Sequence, residues 1–163
     1  MKYFLTGATG FLGGVLARQL REAGHDVNAV IRDPQKASEL QSLGVNLFRG
    51  DVTDKESMRG AMQGTDGVFH VAGWYKIGVR DKSQGERVNL QGTRNVLELM
   101  KELRIRKGVY TSTLAINSDT HGELKTENYH FSGKYLTEYD RTKAAAHEVA
   151  EQFIAGGLPL DFR

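Results

Sequence analysis

Short apolar runs alternate with longer amphipathic stretches along most of the chain. The apolar runs predict buried strands at residues 2–5, 26–31, 46–49, 67–71 and 107–111. The amphipathic stretches predict helices at residues 11–23, 34–43, 86–103 and 138–154, with a further helix beginning near residue 53. Because strands that alternate with helices form parallel sheets, the pattern predicts an α/β fold with three αβα layers and right-handed crossovers. We expect the strand order 3-2-1-4-5, with a remnant of a sixth strand from Leu158.

Local residue types indicate where several of these elements begin and end. Pro34 stands at a first-turn position of the helix over 34–43, and Gly44 ends that helix. Thr53 and Glu56 have the spacing of a capping box, which predicts Thr53 as the N-cap of the following helix. Residues 74–84 are polar and contain glycine, so we expect a loop there.

Composition narrows the class of protein and leaves its function open. The 163 residues are 39% hydrophobic and 26% charged, which suits one globular unit with a sizeable core. The net charge of +2, spread evenly, argues against a nucleic-acid partner. The sequence has no cysteine for a disulfide or a thiolate zinc site, no signal-peptide pattern and no apolar run of membrane-spanning length. We therefore expect a cytoplasmic protein without a membrane partner.

The junction between the first strand and the first helix carries three glycines at intervals of three residues, Gly7, Gly10 and Gly13. Gly7 suits a tight turn out of the strand, and Gly10 leaves no Cβ to keep a pyrophosphate from the backbone. Gly13 allows the helix to pack closely on the strand. The N–H groups at the start of the helix would then hold the phosphates. This order of strand, turn and helix predicts a nucleotide site, although glycine also serves turns that bind nothing.

The run from Thr6 to Gly13, Thr-Gly-Ala-Thr-Gly-Phe-Leu-Gly, resembles the extended branch of the short-chain dehydrogenase/reductase superfamily. That branch includes nucleotide-sugar epimerases and dehydratases and the dihydroflavonol reductase group. The resemblance implies a Rossmann fold, a dinucleotide cofactor and hydride chemistry. It also implies that Thr9, Phe11 and Leu12 contact the cofactor together with the three glycines.

The end of the second strand selects the form of the cofactor. An acidic side chain there would bond the ribose hydroxyls of NAD, whereas an arginine can pair with the 2′-phosphate of NADP. Arg32 occupies this position, and Lys36 follows one helical turn later. The match to a Val-Arg-Asp-Pro sequence in the dihydroflavonol reductase group also implies NADP, with NAD as the alternative. A solvated arginine beside Asp33 is the other interpretation.

The resemblance extends to two further groups of cofactor residues. It places Asp51 and Val52 at the adenine, although a turn aspartate and a buried valine would look the same in the sequence. Val71, Ala72 and Gly73 follow the fourth strand and fit the family's His-Val-Ala signature. Small residues there let a cofactor approach the backbone. We therefore predict that both groups border the cofactor.

Other polar and aromatic positions near the fourth strand allow two interpretations. His70 lies on an apolar strand, where a hydrogen-bonded core histidine is more common than a catalytic one, and we predict the structural role. Trp74 and Tyr75 would either cover the cofactor or a substrate, or form a surface packing contact. Asn89 matches a family asparagine that fixes the active-site architecture, which groups it with the cofactor residues, and solvation is its alternative.

Tyr139 and Lys143 are four residues apart on the last predicted helix, so they lie one turn apart on one face. A phenol with a pKa of about 10 becomes an effective acid–base group when a neighbouring ammonium and the positive nicotinamide favour the phenolate. Tyr139 would exchange a proton with a substrate hydroxyl while hydride moves to or from the cofactor. Thr111, Ser112 and Thr113 lie at the C-terminal end of the fifth strand. In such folds, ligands bind at the carboxyl ends of the parallel strands.

These positions lead to a specific assignment of roles. We assign Tyr139, Lys143 and Thr113 to catalysis, with Thr113 bonding the same substrate oxygen as Tyr139. Thr111 belongs to the cofactor side, and Ser112 to the cofactor side or to a structural bond. Tyr139 and Lys143 would also contact the cofactor.

The resemblance covers residues 2–159, after which family members continue into a substrate domain of similar size. We therefore expect residues 1–163 to form an NAD(P)-binding domain without that substrate domain. The resemblance implies an NADP-dependent reductase or dehydrogenase that acts on a small-molecule carbonyl or secondary alcohol. The alternatives are a nucleotide-sugar epimerase or dehydratase, and an NADP-binding module without turnover.

Two features predict a homodimer. A sixth strand of only a few residues would leave the fifth strand, over 107–111, at or near an exposed sheet edge. The helices over 86–103 and 138–154 would also form a two-helix face of the kind that family members use for dimers. A loop after Leu114 that covers the edge is the alternative.

Overall fold

The computed structural model describes residues 1–76, 78, 80–126 and 128–163. At its centre, six parallel strands form a sheet in the order β3-β2-β1-β4-β5-β6. The strands are β1 (Lys2–Thr6), β2 (Asp26–Ile31), β3 (Asn46–Arg49), β4 (Gly67–His70), β5 (Gly108–Tyr110) and β6 (Leu160–Phe162). This arrangement confirms the fold class and the strand order expected from the sequence.

The α-helices lie on both faces of the sheet. They are α1 (Phe11–Glu22), α2 (Ser38–Ser42), α3 (Lys55–Met62), α4 (Ser83–Gly85), α5 (Gly92–Glu102) and α6 (Glu138–Ala155). A π-helical segment, Glu86–Gln91, joins α4 to α5, and 3₁₀ turns occupy Pro34–Lys36 and Leu114–Asn117. Among the described residues, none of these helices is both long enough and apolar enough to cross a membrane.

Two hydrophobic clusters on opposite sides of the sheet produce the three layers. Phe4 and Leu5 are neighbours on β1, and because side chains alternate along a strand, they enter opposite clusters. Phe4 packs with apolar side chains of α3, α5 and α6. Leu5 packs with those of α1 and α2. Helices packed on both faces hold the carboxyl ends of the strands in fixed positions, and the functional loops extend from those ends.

The continuous helix expected over 34–43 is wrong. Pro34–Lys36 forms a 3₁₀ turn, and the Asp33 carboxylate caps it by accepting a hydrogen bond from the Gln35 N–H at 3.0 Å. Ala37 then leaves helical geometry, at φ −121° and ψ 15°, and α2 begins at Ser38. The Ala37 side chain is buried in the same cluster as Leu5, so tertiary packing interrupts the helix there.

The predicted capping box is also wrong. The N-cap of α3 is Asp54, whose carboxylate accepts a hydrogen bond from the Ser57 N–H at 3.4 Å. The Thr53 N–H instead donates to the Asp51 carboxylate at 2.8 Å. Asp51 therefore organises the turn after β3, and the helix starts one residue later than the sequence indicated.

The helix expected over 86–103 begins earlier and contains an irregular part. Helical backbone starts at Ser83 and continues through the π-helical segment into α5, which ends at Glu102. A π turn carries one extra residue and is found frequently at functional sites. Here it contains Asn89, which is only 1% exposed.

β5 was expected at or near the sheet edge; it lies one strand in from the edge, because the expected remnant of a sixth strand is present as β6. β6 pairs in parallel with β5, aligning Gly108 with Leu160 and Tyr110 with Phe162. The Ser112 N–H extends this pairing by donating to the Arg163 carbonyl at 2.6 Å. Because β4 and β6 flank β5, an open β5 edge no longer supports a homodimer.

Candidate cofactor cleft and active site

An open cleft of ≈ 730 Å³ lies at the carboxyl ends of the central strands, where the strand order changes direction. Ligands bind at this point in open α/β sheets. The structure brings many of the residues predicted from the sequence together around this cleft. They are Gly7, Thr9, Gly10, Phe11, Leu12, Gly13, Arg32, Asp51, Val52, Val71, Ala72 and Gly73.

The glycine turn borders the cleft with backbone alone. Gly7 adopts φ +73°, and a Cβ at this position would stand 2.7 Å from the backbone nitrogen of Ala72. α1 begins after Gly10, which caps the helix without a side-chain hydrogen bond. Phe11 and Leu12, in the first turn of α1, line the cleft, and Phe11 is 93% exposed. The positive end of the α1 dipole therefore faces open space that suits an anion.

Arg32 and Asp51 form a loose pair at the ends of β2 and β3. The Arg32 Nε lies 4.0 Å from Oδ2 of Asp51, and the Arg32 side chain is 76% exposed. The other Asp51 oxygen is held by the Thr53 N–H at 2.8 Å. Val52 beside it is nearly buried. An exposed ion pair at this distance contributes little to stability, so the Arg32 guanidinium can turn to a phosphate at small cost.

Thr6 ties the ends of β1 and β4 together beside the cleft. Its hydroxyl oxygen accepts hydrogen bonds from the N–H groups of Val71 at 3.1 Å and Ala72 at 3.0 Å. The same oxygen lies 2.7 Å from Nδ1 of His70. Because the backbone groups use both lone pairs, the hydroxyl proton is donated to Nδ1 of His70. Thr6 thereby fixes two residues that line the cleft.

His70 is consequently a neutral imidazole that carries its proton on Nε2. This nitrogen lies 3.0 Å from the Thr93 hydroxyl, which donates in turn to the Asn89 carbonyl at 2.6 Å. Burial, together with the nearby Lys143 charge, lowers the pKa of His70 to about 3. The ring is 1% exposed. These contacts confirm the predicted core histidine.

Asn89 connects the cleft wall to α6. Its side-chain oxygen accepts a hydrogen bond from the Trp74 N–H at 2.6 Å, and its Nδ2 donates to the Trp74 carbonyl at 3.1 Å. Nδ2 also donates to the Thr142 hydroxyl on α6 at 2.9 Å. Trp74 lines the cleft, whereas Asn89 lies behind it. In the loop expected over 74–84, Ile77 and Val79 lie outside the described residues.

Tyr139 lies beside the cleft at the start of α6. Thr137 caps this helix by accepting a hydrogen bond from the Asp140 N–H at 3.1 Å, which places Tyr139 in the first turn. The Tyr139 ring meets the Tyr75 ring edge to face, with centroids 4.8 Å apart and an interplanar angle of 83°. Tyr75 lines the cleft and is largely exposed. Tyr139 therefore contacts the cleft wall through Tyr75 and does not itself line the cleft.

Lys143 is buried one turn further along α6. Its Nζ donates to the Tyr110 hydroxyl at 2.8 Å and to the Thr111 carbonyl at 2.7 Å. Burial lowers the pKa of Lys143 to about 8 and raises the pKa of Tyr110. The ammonium is thus anchored to β5 by a phenol that the sequence analysis did not single out.

The hydroxyls of Ser112 and Thr113 point to different partners. Thr113 caps the 3₁₀ turn that follows it, and its oxygen accepts a hydrogen bond from the Ala115 N–H at 3.2 Å. The Ser112 hydroxyl lies 2.9 Å from Nδ1 of His147 on α6. Of the residues described, Thr111, Ser112, Thr113, Tyr139 and Lys143 are not among those that line the cleft. Hydrogen bonds tie two of them to α6: Thr111 through Lys143, and Ser112 through His147.

Several cleft residues were missed by the sequence analysis. Lys76, Gln84 and Val88 also line the cleft. Gln84 and Val88 lie on the long helix, and a helix start at Ser83 would have brought Gln84 into consideration. Lys76 lies in a loop without a recognisable motif. The described residues contain no cluster of three or more His, Cys, Asp or Glu side chains suited to a metal ion.

Comparison with known proteins shows the same class of domain. The sequence model of a family described as NAD(P)H-binding matches residues 7–155. The chain is 37% identical over 148 residues to a 2-alkyl-3-oxoalkanoate reductase of Shewanella oneidensis, covering 90% of this chain and 37% of that protein. It is 33% identical over 128 residues to a UDP-glucose 4-epimerase of Streptomyces lividans, covering 75% of this chain and 37% of that protein.

Solved structures agree with the fold. The UDP-glucose 4-epimerase of Thermus thermophilus in complex with NAD superposes with a TM-score of 0.82 at 26% identity, covering 99% of this chain and 53% of that one. The chain spans between 37% and 48% of the length of five curated relatives that it matches. By these matches and by its glycine turn, the chain belongs to the NAD(P)H-binding family within the extended short-chain dehydrogenase/reductase superfamily.

Proposed function

We propose that the chain is the cofactor-binding and proton-transferring half of an NADP-dependent oxidoreductase that interconverts a small-molecule carbonyl and a secondary alcohol. One observation carries this proposal: Tyr139 packs at 4.8 Å against Tyr75, a residue of the cleft, while the buried Lys143 lies one turn behind it on α6. The relative from Shewanella oneidensis, a reductase of an oxoalkanoate, supports the same class of reaction.

The residues of the cleft suit a dinucleotide. The backbone turn at Gly7 and the first turn of α1, which has no side-chain cap, suit the pyrophosphate. Val52 offers a nearly buried apolar surface beside the Asp51 carboxylate, which suits the adenine. The exposed guanidinium of Arg32 suits a 2′-phosphate, so we favour NADP over NAD.

The chain's own residues would handle the proton. A bound nicotinamide supplies or accepts the hydride. In the reducing direction the Tyr139 hydroxyl gives its proton to the substrate oxygen as the carbonyl carbon gains hydride, which leaves an alcohol and a phenolate. The Lys143 ammonium stabilises that phenolate. The Thr113 oxygen accepts from the Ala115 N–H, and its proton is available to the same substrate oxygen.

Nucleotide-sugar epimerisation is the second candidate. The Streptomyces lividans relative is a UDP-glucose 4-epimerase, and the Thermus thermophilus epimerase holds NAD. Arg32 argues for NADP and therefore against this candidate. A domain that binds NADP without turnover is the third, because the chain spans less than half of the length of several curated relatives.

A two-step experiment separates these candidates. Calorimetric titration of the 163-residue chain with NADPH and NADH measures binding without any substrate. Oxidation of NADPH is then followed with a panel of aldehydes, ketones and 3-oxoacids, using this chain and a version extended at its C-terminus to the length of the relatives. We expect NADPH binding by both proteins and turnover by the extended one. Absence of dinucleotide binding would overturn the whole proposal. Binding by both proteins with turnover by neither would favour a domain that binds NADP without turnover.

Self-association and location belong to the same proposal. With β5 covered by β6, the homodimer rests on the outer faces of α5 and α6 alone. Light scattering at several concentrations tests it, and a monomer mass at all concentrations would refute it. A cytoplasmic location rests on the cysteine-free sequence, which suits a reducing compartment, and cell fractionation tests that location.

A further inference from the structure

The ammonium of Lys143 is held by a phenol that the proposed reaction does not use. Nζ donates to the Tyr110 hydroxyl at 2.8 Å and to the Thr111 carbonyl at 2.7 Å. Lys143 is 5% exposed and Tyr110 is fully buried, so both partners of the bond lie in the core. We propose that Tyr110 is a positioning residue that accepts a hydrogen bond from Lys143 and fixes the ammonium relative to Tyr139. This inference rests on the proposed function, in which Lys143 assists Tyr139.

Packing holds the Tyr110 ring in one orientation. The ring stacks on His70, with centroids 5.6 Å apart and an angle of 24°, and meets the edge of Phe162 at 6.2 Å. His70 is itself fixed at both ring nitrogens, by Thr6 and by Thr93. Strand pairing on both sides of β5 fixes the backbone. The phenol oxygen is therefore a rigid acceptor, and a rigid acceptor is what a precise position for a long lysine side chain requires.

Tyr110 accepts this bond without removing the positive charge. Burial raises the pKa of Tyr110, so the phenol stays neutral across the physiological range. A neutral acceptor leaves the full charge on Lys143, where it can act on the Tyr139 phenolate. An ionised anchor would neutralise that charge instead. The two phenols near Lys143 therefore have different tasks: Tyr110 orients the ammonium, and Tyr139 exchanges the proton.

The bond also helps to keep Lys143 protonated. Burial disfavours the charged form, and the hydroxyl of Tyr110 and the carbonyl of Thr111 are the two acceptors that oppose it. Loss of one acceptor from a buried charged group weakens the charged form further. Removal of the Tyr110 hydroxyl should therefore lower the proton affinity of Lys143.

The other titratable groups near the ammonium lie on β4 and on α6. Among the described residues, the charge of Lys143 acts on His70 on β4 and on His147 on α6, and Tyr139 on α6 acts on Tyr110. Burial lowers the pKa of both histidines, so each is neutral at pH 8. A change in titration midpoint between pH 7 and 9 in a Tyr110 variant therefore belongs to Lys143 and not to these imidazoles.

Nuclear magnetic resonance of the 163-residue chain tests the anchor without any substrate. Lysine labelled at Cε and Nζ is titrated in the wild type and in Tyr110→Phe, and Lys143→Met identifies the signal. Tyr110→Phe keeps the ring packing and removes only the hydroxyl. We expect the proton affinity of Lys143 to fall about tenfold.

Tyr135→Phe is the matched control, because it removes a phenol that donates to the Ile116 carbonyl instead. It should leave the titration of Lys143 unchanged. An unchanged Lys143 titration in a folded Tyr110→Phe protein would overturn the inference.

A reciprocal measurement needs no Tyr110 variant and covers the case in which that variant fails to fold. Tyrosine labelled at Cζ is observed in the wild-type chain, and the Tyr110 signal should move with the same midpoint as Lys143. In Lys143→Met that movement should disappear. A Tyr110 signal that is flat from pH 7 to 9 in the wild type would refute the bond itself.

Turnover separates this inference from the proposed function. In a form that oxidises NADPH, Tyr110→Phe should move the alkaline limb of the pH profile of kcat to lower pH. The midpoint of that limb should lie at an about tenfold higher proton concentration than in the wild type. The KM for the substrate should stay unchanged, because Tyr110 lies behind Lys143. A shifted Lys143 titration without turnover in any form refutes the proposed function and leaves the bond intact. Turnover whose alkaline limb does not move refutes the positioning role.

Discussion

Gly13 lies directly against the backbone of Gly7: a Cβ built at Gly13 would stand 2.2 Å from the Gly7 carbonyl oxygen. It would also lie 2.7 Å from the Gly7 carbonyl carbon and 3.0 Å from the Cα of Ala8. All of these atoms belong to the turn that borders the cleft. α1 therefore packs on the turn with no space for a side chain, and the site where phosphates would bind depends on that contact.

Gly13→Ala should destabilise the protein and impair dinucleotide binding. Backbone atoms cannot move aside as a flexible side chain can, so we expect a loss of at least about 3 kcal/mol in the free energy of unfolding. Gly14→Ala is the matched control, because its Cβ would meet its nearest neighbour, the Ala8 carbonyl oxygen, at an ordinary 3.5 Å. That neighbouring substitution should be neutral or stabilise α1 by about 0.5–1 kcal/mol. Urea denaturation compares the two, and equal stabilities would contradict the packing argument.

Arg32→Ala should remove a preference for NADPH over NADH. A charge-assisted bond from an exposed guanidinium to the 2′-phosphate predicts roughly ten- to hundredfold tighter binding of NADPH by the wild type. Arg18→Ala serves as the control, since Arg18 pairs with Glu39 and does not line the cleft. Calorimetric titration measures the affinities of each protein for both cofactors. Equal binding of the two cofactors by the wild type would show that Arg32 has no part in selecting NADP.

Tyr139→Phe should abolish most turnover and leave cofactor binding nearly unchanged. The substitution keeps the ring against Tyr75 and removes the proton, so the expected loss in kcat is on the order of 10²-fold or more. Tyr75→Phe is the matched control, because it keeps the same aromatic contact and alters the other hydroxyl of the pair. Steady-state kinetics of the wild type and both variants, in an active form of the protein, measures the two effects on kcat. Similar rates in wild type and Tyr139→Phe would exclude this phenol as the proton donor.

Thr6→Val should be far more damaging than Thr6→Ser. The valine removes the oxygen that accepts from Val71 and Ala72, and leaves His70 Nδ1 without its donor. Buried polar groups without partners cost about 1–3 kcal/mol each, so we expect a loss of several kcal/mol. The serine keeps the hydroxyl and should cost about 1 kcal/mol for the missing methyl group. Thermal denaturation of both variants measures the difference, and comparable melting temperatures would show that the Thr6 hydrogen bonds contribute little.

The sequence carries enough local information to predict the sheet and the glycine turn. The five apolar runs form strands because each enters the core, and the close packing expected of the helix at Gly13 is present, with the backbone of Gly7 as the neighbour. His70 was assigned to the core because an apolar strand surrounds it. In each case the deciding residues are neighbours along the chain or share one periodic element.

Contacts between distant residues were beyond that kind of reasoning. Lys143 and Tyr110 are 33 residues apart, and Thr6 and His70 are 64 apart. No periodicity links the members of either pair, so the sequence predicted neither of these hydrogen bonds. The edge-strand argument for a homodimer failed for the same reason: a remnant of a sixth strand was expected from Leu158, but its pairing along β5 is a contact between distant residues. The cofactor contacts and catalytic roles assigned from the sequence, those of Thr111, Ser112 and Asn89 included, stay predictions.

The stability of the protein should rise between pH 8 and pH 10.5 through Lys143. Burial lowers the pKa of this ammonium to about 8 in the folded state, from an ordinary 10.5. Between these two values the unfolded chain binds a proton that the folded chain has released, so the free energy of unfolding increases with pH. The change expected from Lys143 is about 2–3 kcal/mol across this window, and below pH 8 its contribution is constant.

Urea denaturation at intervals from pH 7 to 10 measures this change in the wild type and in Lys143→Met, whose unfolding free energy should lack the rise. Lys101→Met alters an exposed lysine on α5 and should follow the wild type. If the wild type and Lys143→Met keep a constant difference in stability across the whole range, then Lys143 is not the buried ammonium that this site requires.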